Sequence, residues 1–399
     1  MCRGSCPVPE ARPARREGRP VSQTSCIPDR DGPSPPSRVR VFAHLAHGFD
    51  ADLWRRRHAS GELVGVNDPT PYGYGRAEAK GCRVTFSKDA PEGRFGRLLR
   101  LGLRAVLGFD FLHAWRNRAG IRASEVVWTH TESQFLAVAL VILLSGSRGE
   151  GPKLLGQSVW LFDRWERLSG LRRLFYRLLI ARVDVLTVHS PENERVARAA
   201  FPDRWVELVL YGIPEGDKRP PRLRSDCPIR VLSVGNDEHR DWATVVEALR
   251  DRPNIVLDII SARAPARLAE SSSNVTIRRV SNNDELLAAY EAASLVVVPL
   301  KPNRHASGIT VIQEATLRGL PVVATRTGGL EAYFGPDAVG FVPPNDPDAL
   351  RAAVEALGGD PAAATAQAQR AQALMAPGRL GCESFVDRHV ELTRRLLAT

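Results

Sequence analysis

The sequence predicts an α/β protein built from two doubly wound, Rossmann-like domains facing each other across a cleft. Three observations carry this. Apolar, β-branched runs alternate with helix-patterned segments; the alternation breaks at a proline-rich stretch; and it then restarts. At 399 residues, 43% of them hydrophobic, the chain is long enough to fill two such cores.

Residues 1–37 are rich in Pro, Arg and Ser without periodicity, which predicts a disordered tail. The first domain is expected over 38–212. A strand opens "RVRVFAHLAHG" (38–48), and further strands fit 61–68, 82–87, 125–130, 153–159, 183–190 and 206–212. Apolar residues 132–144 read as a buried helix, and 192–201 as a second helix. "DPTPYGYG" (68–75) reads as a flexible loop whose Tyr72 and Tyr74 are either acceptor-stacking rings or turn residues. Segment 213–228 holds four prolines and no apolar pattern, as a linker would.

The second domain is expected over 229–375. Its strands fit 229–235, 254–261, 274–280, 295–300, 320–325 and 339–343. "WATVVEALR" reads as the helix after the first of these. Asn282 with Glu285 forms a capping box before helix 283–293, and Asp346 then Pro347 opens helix 347–357. A looser Ala/Gln stretch precedes a last helix near 383–398. Residues 376–399 are expected to pack back toward the first domain.

A net charge of +10 favours anionic partners. With no RRM, helix-turn-helix or aromatic-interleaved basic strip, nucleic acid is not expected. Cys2, Cys6, Cys26, Cys82, Cys227 and Cys382 form no CxxC pair and no zinc spacing, which predicts a reduced, cytoplasmic chain without a metal. The opening residues lack the apolar core of a secretory signal. The longest apolar run, Phe135–Leu144, falls short of the roughly 20 residues that span a bilayer. Two stretches, 93–109 and 168–183, set Arg on one side of an amphipathic pattern and Leu or Phe on the other. They predict either a domain helix with a solvated Arg face or peripheral contact with an anionic membrane, at the inner face of the cell membrane.

No GxGxxG follows the first strand and no GxxxxGK[ST] occurs, which disfavours dinucleotide oxidoreductases and P-loop NTPases. "DAD" at 50–52 reads as a helix start rather than a metal motif. The informative stretch is "HASGITVIQEATLRGLPVVATRTGG" (305–329). It turns through Gly308 into a helix whose free N–H groups and dipole suit a phosphate. Glu314, one turn on, suits a sugar diol.

This stretch resembles the retaining GT-B glycosyltransferases of the family 4 type (glycosyl transferases group 1), strongly over 229–358 and loosely over 38–212. The resemblance implies that Gly308, Ile309 and Thr310 face a donor diphosphate and that Glu314 holds the ribose. The family's earlier glutamate, eight residues before, is Ala306 here, so His305 or Ser307 is left to read the sugar. In "SVGNDEHRDW", Asn236 stands where the family has Arg, and Arg240 stands in for its Lys as the cation on the leaving phosphate. Lys301 and Arg304 are reserves on the facing loop. His130, just after a strand, corresponds to a histidine near the reaction centre, and Gly48 is what remains of a glycine-rich loop. The implied activity moves a sugar from a nucleotide-diphosphate sugar to a sugar or lipid-linked acceptor hydroxyl, with retention, in polysaccharide or glycolipid assembly, and with no cofactor. The rivals are a catalytically decayed nucleotide-sugar-binding protein, a GT-B epimerase, and a basic nucleic-acid- or membrane-binding protein.

Overall fold

Runs of mainly aliphatic residues make strands that are buried on both faces, as in Leu295–Val298 and Val322–Thr325, where every residue is buried. In the computed structural model, which describes residues 38–146, 151–216, 218–222, 227–270, 272–376 and 378–398, these strands form two six-stranded sheets. The predicted tail 1–37, with Cys2, Cys6 and Cys26, lies outside the described residues, as do linker positions 217 and 223–226.

The first sheet contains β1 (Val39–His44), β2 (Cys82–Phe86), β3 (Val126–Thr129), β4 (Lys153–Ser158), β5 (Val185–Val188) and β6 (Val206–Leu208). Its spatial order is β2-β1-β3-β4-β5-β6, with parallel pairing throughout. The second contains β7 (Ile229–Val234), β8 (Ile255–Ile260), β9 (Val275–Arg278), β10 (Leu295–Val298), β11 (Val322–Thr325) and β12 (Gly340–Val342). Its order is β12-β11-β10-β7-β8-β9, again parallel. Parallel neighbours need crossovers, and the intervening helices cover both faces of each sheet. Helix Asn283–Ala292 starts where the Asn282 side chain accepts from Glu285 N–H, and helix Pro347–Gly359 where Asp346 accepts from Ala349 N–H. Asp50 caps helix Ala51–Ala59, so "DAD" is a helix start.

Two expectations are corrected, at 61–68 and in the Ala/Gln stretch; one open alternative, at Tyr72 and Tyr74, is decided for turn residues; and two short helices fall where the sequence predicts no element. Residues 61–68 are not a strand: the Gly65 and Val66 N–H groups go to second-lobe side chains instead of to a neighbouring strand. Residues Pro71–Lys80 form 3₁₀ turns, with Tyr74 fully buried and Tyr72 stacked on His130, so neither ring is a free acceptor platform. Helices Phe111–Arg116 and Arg118–Ala123 occupy a stretch without a clear period. The Ala/Gln stretch is itself a helix, Pro361–Leu374, capped by Asp360.

The last helix, Cys382–Leu397, lies on the first sheet. Phe385, Val390 and Leu396 join Trp128 and Leu155 in one buried cluster, and Trp128 Nε1 donates to Thr393 Oγ1 at 2.8 Å. Each such side chain contributes roughly 1.5–3 kcal/mol on burial. The strand order reverses direction between β1 and β3 in one sheet and between β7 and β10 in the other. Crevices at these switch points, at the carboxyl ends of the strands, are where doubly wound sheets take ligands.

Candidate active site

Arg240 sits in the loop after β7, and that loop is fixed against the loop after β10. Asp241 N–H donates to Pro299 O (3.0 Å), Lys301 N–H donates to His239 O (2.8 Å), and Arg240 pairs with Leu300 as an isolated bridge. The Arg240 side chain is 5% exposed and runs between two glycines. A Cβ on Gly235 would lie 2.1 Å from its Nε, and one on Gly308 would lie 2.6 Å from its Nη1. Nε and Nη1 are buried and make no hydrogen bond with the described residues. Burial depresses the guanidinium pKa to about 10, only partly countered by Asp237, Tyr290 and Glu314. The site therefore holds a dehydrated cation with donors to spare, directed at the turn before helix Ile309–Leu317.

That turn is built on Asn303, which sequence reasoning missed. Asn303 Oδ1 accepts from His305 N–H (3.3 Å) and Ser307 N–H (3.2 Å), a local side-chain bond typical of Asn in turns. Ala306 takes a left-handed φ of 55° and donates its N–H to Gly328 O. Gly308 caps the helix at φ 84°. Ile309 is buried and donates to Ala306 O, so its N–H is already used. Ile312 N–H closes the first helical bond, onto Gly308 O. Thr310 is exposed, and helix geometry leaves its N–H without a carbonyl of its own helix. Ser307 Oγ is buried and unpartnered among the described residues.

Glu314 is buried, and both of its oxygens are engaged. Oε2 accepts from Tyr290 O–H (2.9 Å) and Oε1 from Val66 N–H (3.0 Å) of the first lobe. Gly65 N–H donates to Asn283 Oδ1 alongside (2.9 Å), and a Cβ on Gly65 would come within 2.6 Å of Glu314 Oε1. Burial raises the carboxyl pKa against these two donors.

His305 faces the first lobe. Its Nδ1 meets Asp163 Oδ2 at 2.8 Å and its Nε2 meets Asp237 Oδ2 at 3.4 Å. Burial opposes charge on the ring, but the two carboxylates outweigh it and hold the pKa at about 9. The ring is an imidazolium clamp between lobes, reinforced by the Arg164–Glu238 pair and by Asp163 Oδ1 accepting from Arg304 N–H (2.6 Å). Asp163, His239 and His305 bring ligand-type atoms within 4.8 Å of one another. With both His305 nitrogens committed to carboxylates, the group reads as an ion-pair network. Beside it opens a cavity of about 720 Å3, lined by Arg164, Arg167, Glu238, Lys301 and Arg304 among others.

Three predicted residues have other side-chain or backbone partners. His130, after β3, stacks on Tyr72 with ring centroids 3.4 Å apart and faces Tyr74 O–H across 3.3 Å. Burial first, then His189 and His389, lower its pKa well below the ordinary value, so it is neutral. Gly48 is exposed, and its N–H donates to Asp89 Oδ2 (2.9 Å). Asn236 uses its side-chain oxygen to hold Ala262 N–H (2.7 Å) in the loop after β8, a bracing contact between neighbouring loops.

Two facing doubly wound lobes, with a cation and a helix start at the second switch point, define the GT-B fold. Residues 228–360 match the family model described as Glycosyl transferases group 1. No curated protein sequence matches the chain significantly. Among solved structures, sucrose-phosphate synthase from Thermosynechococcus elongatus is similar at 20% identity and a TM-score of 0.67, covering 90% of this chain and 99% of that one. Anabaena HepE in complex with UDP-glucose is similar at 15% identity and 0.62, covering 89% and 99%. An α,α-trehalose-phosphate synthase (UDP-forming) from Burkholderia vietnamiensis is similar at 12% identity and 0.60, covering 89% and 100%. At these identities the likeness establishes the fold.

Proposed function

We propose that this chain is a glycosyltransferase that moves a hexosyl group from a nucleotide-diphosphate sugar to the hydroxyl of a saccharide or lipid-linked acceptor, with retention, in polysaccharide or glycolipid assembly. The observation that carries the reading is Arg240: a buried cation with two nitrogens unpartnered among the described residues, set against the glycine that opens a helix. A diphosphate satisfies the cation, the helix dipole and the unused N–H groups together. The match of residues 228–360 to glycosyl transferases group 1 supports the reaction class.

In this reading Arg240 and the 308–310 helix start take up negative charge as the anomeric carbon–phosphate oxygen bond breaks. The acceptor oxygen bonds to the anomeric carbon on the same face, and the leaving phosphate receives its proton. Glu314 holds the ribose diol with the lone pairs that Tyr290 and Val66 leave on its two oxygens, and the positive charge comes from the chain's own groups rather than from a metal. The polar cavity beside Lys301 and Arg304 is assigned to the acceptor. Closed lobes exclude water from the reacting atoms.

Calorimetric titration with UDP-, GDP- and ADP-sugars tests this. One nucleotide series binds, and Glu314→Ala weakens it about ten- to a hundredfold, the size of a lost charge-assisted hydrogen bond. NMR of the product anomer checks retention. The reading fails if no series binds or if Glu314→Ala binds as well as the parent. A non-catalytic nucleotide-sugar-binding protein is the second reading, motivated by Ala306, which is 2% exposed and presents no acid to a sugar. Nucleotide-sugar affinity without transfer across an acceptor panel selects it.

A further inference from the structure

Residues 61–67 of the first lobe lie across the second lobe without forming a strand or a helix. Their backbone holds them there. Gly61 O accepts from Asn283 N–H (3.3 Å), Gly65 N–H donates to Asn283 Oδ1 (2.9 Å), and Val66 N–H donates to Glu314 Oε1 (3.0 Å). The Asn283 N–H is one of the donors that the start of helix Asn283–Ala292 leaves without a carbonyl of its own. The Val66 side chain packs against the second-lobe core.

Both ends of the segment are tied to the first lobe. Helix Ala51–Ala59 leads into it, with Gly61 N–H on His58 O (3.2 Å). Beyond it, buried Asp68 accepts from Thr70 N–H (2.9 Å) and Arg76 Nε (2.8 Å), and its carbonyl accepts from Trp54 Nε1 (2.8 Å). Between these anchors Gly61 and Gly65 take left-handed φ values of 71° and 96°, and Val64 is exposed. A strap fixed at its ends, with few buried contacts between them, opens locally before the rest of the fold does.

Its resting place is the carboxylate assigned to the ribose. Glu314 is 8% exposed, and a Cβ on Gly65 would lie 2.6 Å from Oε1, so a glycine is what lets the strap pass so close. The first lobe's own backbone thus covers the group that a nucleoside has to reach. We propose that strap 61–67 is the gate of the donor site: it lifts from Asn283 and Glu314 to admit the nucleotide, then recloses over the bound ribose with Val66 N–H back on Oε1. This inference rests on the sugar-transfer reading. A gate that is mostly shut scales association down by its open fraction. When it also recloses over the ligand, it slows departure by a similar factor. Such a strap sets how long a nucleotide stays more than how tightly it binds.

The test is Asn283→Ala. The helix is capped by the Asn282 side chain, and alanine at 283 keeps the first turn. Loss of the acceptor for Gly65 N–H raises the open fraction about fivefold, the size of one net hydrogen bond. Hydrogen exchange of the full chain without nucleotide reads the strap, and surface plasmon resonance with UDP, GDP and ADP reads the rates. We expect amides in 61–68 to exchange about fivefold faster in the variant while those of β10 stay unchanged. Nucleotide association and dissociation should both rise about fivefold, with Kd moving less than about twofold. Faster dissociation with unchanged association overturns the gate and leaves the strap as a brace on the bound state. Exchange in 61–68 no faster than in the parent also overturns it. Nucleotide binding with both rates unaltered sinks the gate alone, whereas no binding of any of the three by parent or variant sinks the donor reading and the gate with it.

Discussion

Replacing Arg240 by methionine separates a binding cation from a structural one. A structural arginine is paired, and its loss destabilises. Arg240 is 5% exposed, with Nε and Nη1 unpartnered among the described residues. Burial lowers its pKa to about 10 from the ordinary 12.5. That difference corresponds to about 3 kcal/mol spent on keeping the ion charged in the folded chain. At neutral pH both folded and unfolded chains hold the proton, so the cost is present in full. Methionine fills much of the same channel between Gly235 and Gly308 without charge. We expect Arg240→Met to unfold about 1–3 kcal/mol later than the parent in the absence of ligand, as when other buried charges are replaced by apolar groups. Nucleotide diphosphate at a hundred times its Kd then stabilises the parent by about 2.7 kcal/mol and leaves the variant nearly unmoved. Thermal unfolding with and without UDP, GDP and ADP reads both effects. A variant less stable than the parent without ligand, or one that gains as much from nucleotide, refutes the assignment of Arg240 to an anion.

Gly308→Ala forces a side chain into φ 84° and brings Cβ to 2.6 Å from both Arg240 Nη1 and Val298 Cγ1; we expect a loss of about 1–3 kcal/mol in urea unfolding, together with weaker nucleotide binding in calorimetry. His305 has a folded pKa of about 9 against an ordinary 6.5, so its clamp contributes fully below pH 6.5 and is lost as pH rises through 9, a change of about 3 kcal/mol. The groups facing it are Asp163, Asp237, His239 and Glu132, and urea midpoints at pH 6, 7.5 and 9.5 should fall for the parent but stay nearly level for His305→Gln.

Most strands were legible because fully buried parallel strands are nearly unbroken aliphatic runs, as in β10, and in β11 up to its last residue, Thr325. Helix Pro361–Leu374 was not, since Ala and Gln favour helix without marking a face. Residues 61–68 misled for a different reason. "GELVGVND" has strand-like composition, but its partners are Glu314 and Asn283, more than two hundred residues away in sequence. No local pattern encodes such a contact. The same holds for His305 with Asp163, separated by 142 positions. Arg240 was named from the resemblance, and Gly308 from the resemblance and its helix-opening turn, in loops that follow different strands, and their loops meet because β7 and β10 are neighbours at the switch point. Asn303 carried a readable signal, an Asn after Pro in a loop, that was passed over.

The small residue at 306 looked like the loss of one sugar-reading acid from an otherwise ordinary turn. The turn itself is arranged around that residue. Ala306 has φ 55°, its N–H is given to Gly328 O, and its methyl packs in the second-lobe core with Ile309 and Leu330. A glutamate on this backbone would direct its stem into that core, so restoring the acid also requires the turn to change. Of its two neighbours, His305 has both ring nitrogens committed to Asp163 and Asp237. Ser307 differs, because its hydroxyl is buried, unpartnered among the described residues, and one residue from Gly308. A buried hydroxyl without a partner is costly unless something else completes it. In the proposed sugar-transfer reading Ser307 is therefore the polar group of this turn left for a donor sugar, while the histidine beside it pairs with Asp163 and Asp237.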